Sequence, residues 1–200
     1  MKKIKIWNDE ASEKQLDEIK EYLKNGDIAI IPTDTLYGIV CDALSPKAID
    51  KLCRLKGINP EKTNLSILCS DISMASEYAR IDNKDYRLIK DNTPGAFTFL
   101  LKASSSLPKA FKGRKTVGIR IPDNKFCRDL ITILGAPLLT TSIEYDDEDY
   151  ARNPELIEEN YEGKVDIIIE GEEGDLQPST IIDCTENPPE IIREGKGKLK

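Results

Sequence analysis

Short apolar runs that stop at a proline or a turn recur through this chain, and helix-length amphipathic stretches stand between them. Ile28 to Ile31 is one such run, closed by Pro32. A run this short reads as a buried strand rather than a helix. The same reading gives strands at 65–69, 97–102, 117–121, 138–142, 165–169, 179–183 and 190–193. A helix is expected over 12–24, where Ser12 and Gln15 form a capping box and Leu16, Ile19, Tyr22 and Leu23 recur at helical spacing before Gly26. Ser45-Pro46 starts a second helix with proline at its first position. Its apolar face is Ile49, Leu52 and Cys53. Further helices are expected near 71–79 and 83–91, with a turn at Thr93-Pro94-Gly95. Another carries Phe126, Leu130, Ile131 and Leu134 and ends at Gly135. The stretch between 142 and 165 reads as polar connection, and residues 195–200 as a frayed tail.

Strands and helices interspersed in this way give an α/β or mixed α+β class. No internal repeat and no linker divides the chain, so 1–200 is expected to fold as a single domain. At this length a domain buries roughly 70% of its unfolded surface. A core therefore needs no metal or disulfide to hold it.

Composition narrows the chemistry. Histidine is absent, which removes a Ser-His-Asp or Cys-His pair and the commonest zinc ligand. The five cysteines, Cys41, Cys53, Cys69, Cys127 and Cys184, form no C-x-x-C pair. They read as buried reduced thiols, and no metal site is expected. The net charge of −7 disfavours non-specific binding to nucleic acid or membrane. The first residues lack a signal-peptide stretch, and no window reaches membrane-span length, so a cytoplasmic protein is expected.

Five segments could carry chemistry with the groups that remain. Pro32 to Gly38 places Thr33, Asp34 and Thr35 directly after a strand, where α/β sheets gather ligands. The same residues also suit an ordinary strand-to-helix turn. Lys56 ends a helix before Gly57, placed either to oppose the helix dipole or to meet a phosphate. Arg120 stands in the apolar strand Thr116 to Pro122. A buried guanidinium needs a partner, either a substrate carboxylate or a structural carboxylate. Thr140-Thr-Ser142 and Ser179-Thr180 are hydroxyl clusters on strands, suited to cross-strand pairing or to a ligand. Arg193 follows Ile191-Ile192.

In their order and spacing these segments resemble the YrdC-like family of threonylcarbamoyl-AMP synthases, from about residue 12 to 197. Pro32-Thr-Asp-Thr-Leu-Tyr-Gly38 is the most diagnostic. Asn92-Thr-Pro-Gly-Ala-Phe-Thr-Phe and Arg193-Glu-Gly look like the YciO branch. The resemblance implies a twisted open sheet with helices around a large cavity. It implies a reaction that joins L-threonine, bicarbonate and ATP into threonylcarbamoyl-AMP, with Mg²⁺ accompanying the nucleotide, for the modification of tRNA. Double-stranded RNA is a further implied partner. Thr33 and Thr35 would line the threonine pocket, with Arg120 on the threonine carboxylate and Ser179 nearby. Lys56, Thr116, Ser142 and Arg193 would contact ATP; no catalytic residue is singled out. Two departures bear on activity. Ile58 stands where the family carries an arginine two residues after the lysine, and Ser142-Ile-Glu144 replaces a Ser-x-Asn motif. A non-catalytic RNA- or nucleotide-binding module of the same fold, or a relative with another substrate, is the alternative. The acidic run 144–149, with Asp146, Asp147 and Glu148 as candidate magnesium partners through water, lies beside these departures.

Overall fold

The computed structural model describes residues 1–59, 63, 65–108, 111, 113–144 and 148–200, without the side chains of Glu148 and Asp149. Asp146 and Asp147 thus lie outside the described residues, as does the side chain of Glu148.

Three helices begin and end where their capping residues dictate. In α1 (Glu13–Lys24), Ser12 Oγ accepts from Gln15 N at 3.3 Å while Gln15 Oε1 accepts from Ser12 N at 2.9 Å. In α2 (Pro46–Lys56), Ser45 caps the start, and Gly57 takes the left-handed conformation that ends it, at φ 62°. In α5 (Lys125–Leu134), Asn124 Oδ1 accepts from Cys127 N, and Gly135 closes at φ 68°. Between them stand α3 (Ile72–Tyr78) and α4 (Asn83–Asn92).

The strands are β1 (Lys2–Lys5), β2 (Ala29–Ile31), β3 (Gly38–Asp42), β4 (Ser66–Leu68), β5 (Ala79–Arg80), β6 (Phe97–Ala103), β7 (Thr116–Arg120), β8 (Leu138–Ser142), β9 (Ile167–Glu170), β10 (Thr180–Asp183) and β11 (Glu190–Arg193). They form one mixed sheet in the order β1-β9-β2-β3-β8-β4-β7-β6-β10-β11, with β5 paired to β6. β1 and β2 each lie parallel to β9, β4 lies parallel to β7, and β6 parallel to β10. The remaining pairs are antiparallel.

Each face of the sheet has its own apolar core, because side chains alternate along a strand. Ile28, Ile30, Ile39, Ile67, Phe99, Ile119 and Ile182 pack with side chains of α2, α3 and α4. Ala29, Ile31, Val40, Leu138, Ile167 and Ile169 pack on the other face with Leu16, Ile19 and Leu23 of α1 and Phe126, Leu130 and Ile131 of α5. This second core takes nothing from β6, β7, β10 or β11. Among the described residues, the apolar packing of α1 and α5 therefore stops short of that half of the face.

The structure departs from the sequence reading in five places. Residues 32–37 join β2 to β3 in an antiparallel hairpin, not a strand to a helix. β3 itself was hidden because its buried residues run straight on from the polar segment. The stretch expected as polar connection holds α6 (Glu148–Arg152) and α7 (Pro154–Tyr161), the latter capped by Asn153 with proline at its first turn. Residues 2–5 form an edge strand whose Ile4 is buried beside exposed lysines. The tail is tied down rather than frayed. Thr180 Oγ1 donates to Gly197 O at 2.7 Å, and Lys200 N donates to Asn92 Oδ1 at 3.0 Å. Among the described residues no helix is long and apolar enough to cross a membrane.

Candidate functional site

The half of the sheet face left uncovered by α1 and α5 carries the polar residues. On β7, Thr116, Gly118 and Arg120 alternate onto it, while Val117 and Ile119 enter the opposite core. On β6, Thr98, Leu100 and Lys102 do the same, while Phe97, Phe99 and Leu101 turn away. Gly118 pairs with Ser66 on β4 and with Leu100 on β6. A Cβ at Gly118 would sit 2.6 Å from Ser66 Oγ and 3.2 Å from Thr98 Cγ2. The absent side chain thus leaves the floor open.

Over this floor lies a cavity of about 210 Å³ lined by Arg120, Ser142, Ser179 and Arg193, together with Ile58, Ser66, Thr98 and Thr140. Two of its hydroxyls are linked to each other, and one of these to Arg193. Thr98 Oγ1 and Ser179 Oγ are 2.7 Å apart. Arg193 Nη2 donates to Ser179 O at 2.8 Å and to Ser179 Oγ at 3.3 Å, and its Nε donates to the same carbonyl.

Arg120 has a protein partner. Its Nη2 donates to Asp34 Oδ1 at 2.5 Å and to Thr35 Oγ1 at 2.8 Å. Asp34 Oδ2 accepts from Asp123 N at 3.0 Å. Of the two partners the sequence left open for Arg120, the carboxylate of the chain itself is present. The guanidinium is not saturated: its buried Nε has no hydrogen-bond partner among the described residues. Thr35 is buried, and its hydroxyl lies 3.2 Å from Thr33 Oγ1, which donates to Leu36 O. Thr35 therefore fixes Arg120 and lines neither cavity.

Asp34 and Thr33 face a second, larger cavity of about 690 Å³. Its wall includes Asp9, Asp123, Glu173 and Asp175, with Arg152 and Lys196 as its cations. Lys196 Nζ donates to Asp34 O at 2.7 Å and pairs with Asp175 at 2.8 Å. The Asp34–Arg120 pair stands between the two spaces. The larger, rich in carboxylates, is unsuited to a polyphosphate.

Four of the eight residues expected at the site meet at the smaller cavity: Arg120, Ser142, Ser179 and Arg193. Thr33 is next door. Thr116 shares the open face but lies about 13 Å along the strand from Arg120, opposite Lys102. Lys56 ends α2 without lining the cavity, whereas Ile58, two residues on, is part of its wall. Glu144 is exposed and borders neither cavity. Sequence reasoning placed Asp34 in a candidate segment without naming its partner, and gave no role to Ser66 or Thr98. A polar residue at every second position of an apolar strand, as at Thr98, was the available signal.

No group of three or more carboxylates or thiols is disposed to hold a metal ion among the described residues. Burial raises the pKa of Cys41, Cys69 and Cys127 above the usual thiol range and pushes Cys184 up to about 12, which disfavours the nucleophilic thiolate.

Comparison with known proteins agrees with the resemblance read from the motifs. Residues 21–195 match the family model Sua5_yciO_yrdC, described as telomere recombination. The Escherichia coli K12 protein YciO is 34% identical over 98% of this chain and 96% of its own length. A Methanocaldococcus jannaschii protein provisionally named a threonylcarbamoyl-AMP synthase is 34% identical over 96% of this chain and 92% of its own. The crystal structure of E. coli YciO superposes with a TM-score of 0.90 at 33% identity, covering 100% of this chain and 98% of that one. P. abyssi Sua5 in complex with L-threonine superposes at 0.87 and 26% identity, covering 98% of this chain but 58% of the longer Sua5 chain.

Proposed function

We propose, because this chain belongs to the Sua5–YciO–YrdC family, that it is a threonylcarbamoyl-AMP synthase-type enzyme acting in the cytoplasm on L-threonine, bicarbonate and ATP. One observation carries the reading: a buried guanidinium whose Nε has no partner among the described residues borders a small cavity ringed by hydroxyls. Buried donors are nearly always satisfied, and a ligand carboxylate would satisfy this one. The likeness to a Sua5 structure that holds L-threonine supports the choice of amino acid.

The chemistry needs no histidine. The amine of threonine attacks the carbon of bicarbonate, and an amine proton leaves with the bicarbonate hydroxyl as water, which gives a carbamate. A carbamate oxygen then attacks the α-phosphorus of ATP, and pyrophosphate leaves. Arg120 would hold the carboxylate, and Ser142 and Arg193 would face the nucleotide. Catalysis on such a site is positioning and charge neutralisation. Mg²⁺ would arrive on the triphosphate, and the product would serve tRNA modification.

A second reading is favoured by Ile58. A hydrocarbon at the cavity wall supplies no phosphate donor. A member that binds a nucleotide or RNA without completing the reaction, or that uses another substrate, fits that wall. Calorimetry with ATP, AMP and L-threonine, followed by a pyrophosphate-release assay, separates the two. Threonine-dependent pyrophosphate release establishes the synthase. Nucleotide binding with no release under any acceptor establishes the second reading.

A further inference from the structure

At the other end of β6, beyond Lys102, lies a cavity of about 600 Å³ formed by the ends of β6 and β10 and the start of α4. Its cations are Arg80, Lys84 and Lys102. Arg80 on β5 and Lys102 on β6 are directly opposed in an antiparallel pair. Opposed residues share a face, and like charges so placed repel. Neither side chain makes an ion pair among the described residues, although three carboxylates, Asp82, Asp85 and Glu186, border the same cavity. Asp82 is committed elsewhere: its Oδ1 accepts from Lys84 N and Asp85 N, capping α4. Asp85 is buried. Lys84 Nζ donates to Asn187 Oδ1, which sets that ammonium beside the segment following β10. The register thus places two cations on one face without an ion pair to either among the described residues; burial raises the pKa of the Asp85 carboxyl, and Lys102 lies near enough to lower it, though by less.

We propose that this cavity is a second anion site that takes a phosphate group between Arg80 and Lys102. A doubly charged phosphate removes the repulsion between the two cations, and its oxygens match the fork of Arg80. The site is independent of the reaction proposed above, since it uses none of the residues around Arg120.

Calorimetry on the full chain with orthophosphate, pyrophosphate and AMP tests this. The wild type should bind at least one of them saturably. The double variant Arg80→Gln/Lys102→Gln should weaken that binding about 10-fold or more, and Lys14→Gln, at an exposed position of α1 that lines none of the three cavities, should leave it unchanged. Orthophosphate bound as tightly as AMP identifies the free ion as ligand, and tighter AMP identifies a phosphate ester. Absence of saturable binding, or equal binding by the double variant, overturns the proposal. Thermal unfolding gives a second readout. Without phosphate, Arg80→Thr should raise the midpoint by about 1–3 °C through relief of repulsion, and phosphate should raise the wild-type midpoint but not that of the variant. A lowered midpoint for Arg80→Thr would show that the residue is held for packing.

Discussion

Asp34 and Arg120, 86 residues apart in sequence, meet as an ion pair at 2.5 Å with side chains 7% and 8% exposed. Removing one partner of such a pair strands a charge in the interior and costs about 3–5 kcal/mol. Asp34→Ala should therefore lower stability by that order in urea unfolding. It should also free Arg120 for an external carboxylate. L-threonine should then stabilise Asp34→Ala more than it stabilises the wild type, as a shift in unfolding midpoint. Equal shifts would mean that amino-acid binding does not use Arg120.

Gly118 tests the cavity floor. A methyl group there meets Ser66 Oγ at 2.6 Å, and such overpacking costs about 1–3 kcal/mol. Gly118→Ala should lose stability and weaken ligand binding, and Ser66→Gly on the same chain should restore much of both. Urea midpoints and calorimetry on the single and double variants check this.

Ile58→Arg should raise pyrophosphate release by about 10-fold or more if the cavity takes ATP, because one phosphate-directed arginine can change phosphoryl chemistry by orders of magnitude. Glu144→Asn should add little, since Glu144 is exposed and away from the cavity wall. Side-by-side release assays on the two single variants distinguish their contributions.

The edge of the sheet sets a pH response. Lys5 and Lys3 hydrogen bond to Glu170 and hold its pKa below the ordinary 4.5. A depressed carboxylate contributes stability that is complete above its unfolded pKa. That contribution falls as the pH drops below about 4.5 and through the folded value. Glu170→Gln should be less stable than wild type at pH 7, with the gap closing under acid. Urea midpoints measured from pH 7 to pH 3 check the sign.

All five cysteines are free and buried. A thiol reagent should modify none of them quickly in the native protein and all five in denaturant. A fast-reacting native thiol would show that part of the core opens readily.

Much of this fold was legible because its punctuation is local. Ser12 with Gln15, Ser45 with Pro46, and Gly57 and Gly135 each fix a helix end through contacts within a few residues. β3 and α7 escaped for different reasons. Gly38 to Asp42 is buried on both faces and offers no alternation, whereas the Asn153-Pro154 start was written in plain local code and passed over. At the site, Arg120 announced itself as a charge in an apolar strand. Its partner could not be read, because only the assembled sheet brings residue 34 to residue 120. The split into two cavities was unreadable for the same reason.

The pairing of β1 with β9 bears on how the chain is made. Lys5 and Glu170 stand 165 residues apart, so the first strand leaves the ribosome with nothing to pair against. At roughly 5–20 residues per second, it waits on the order of 10–30 s before β9 is translated. Throughout that interval Ile4 and Ile6, buried in the finished protein, are open to chaperones and to other nascent chains.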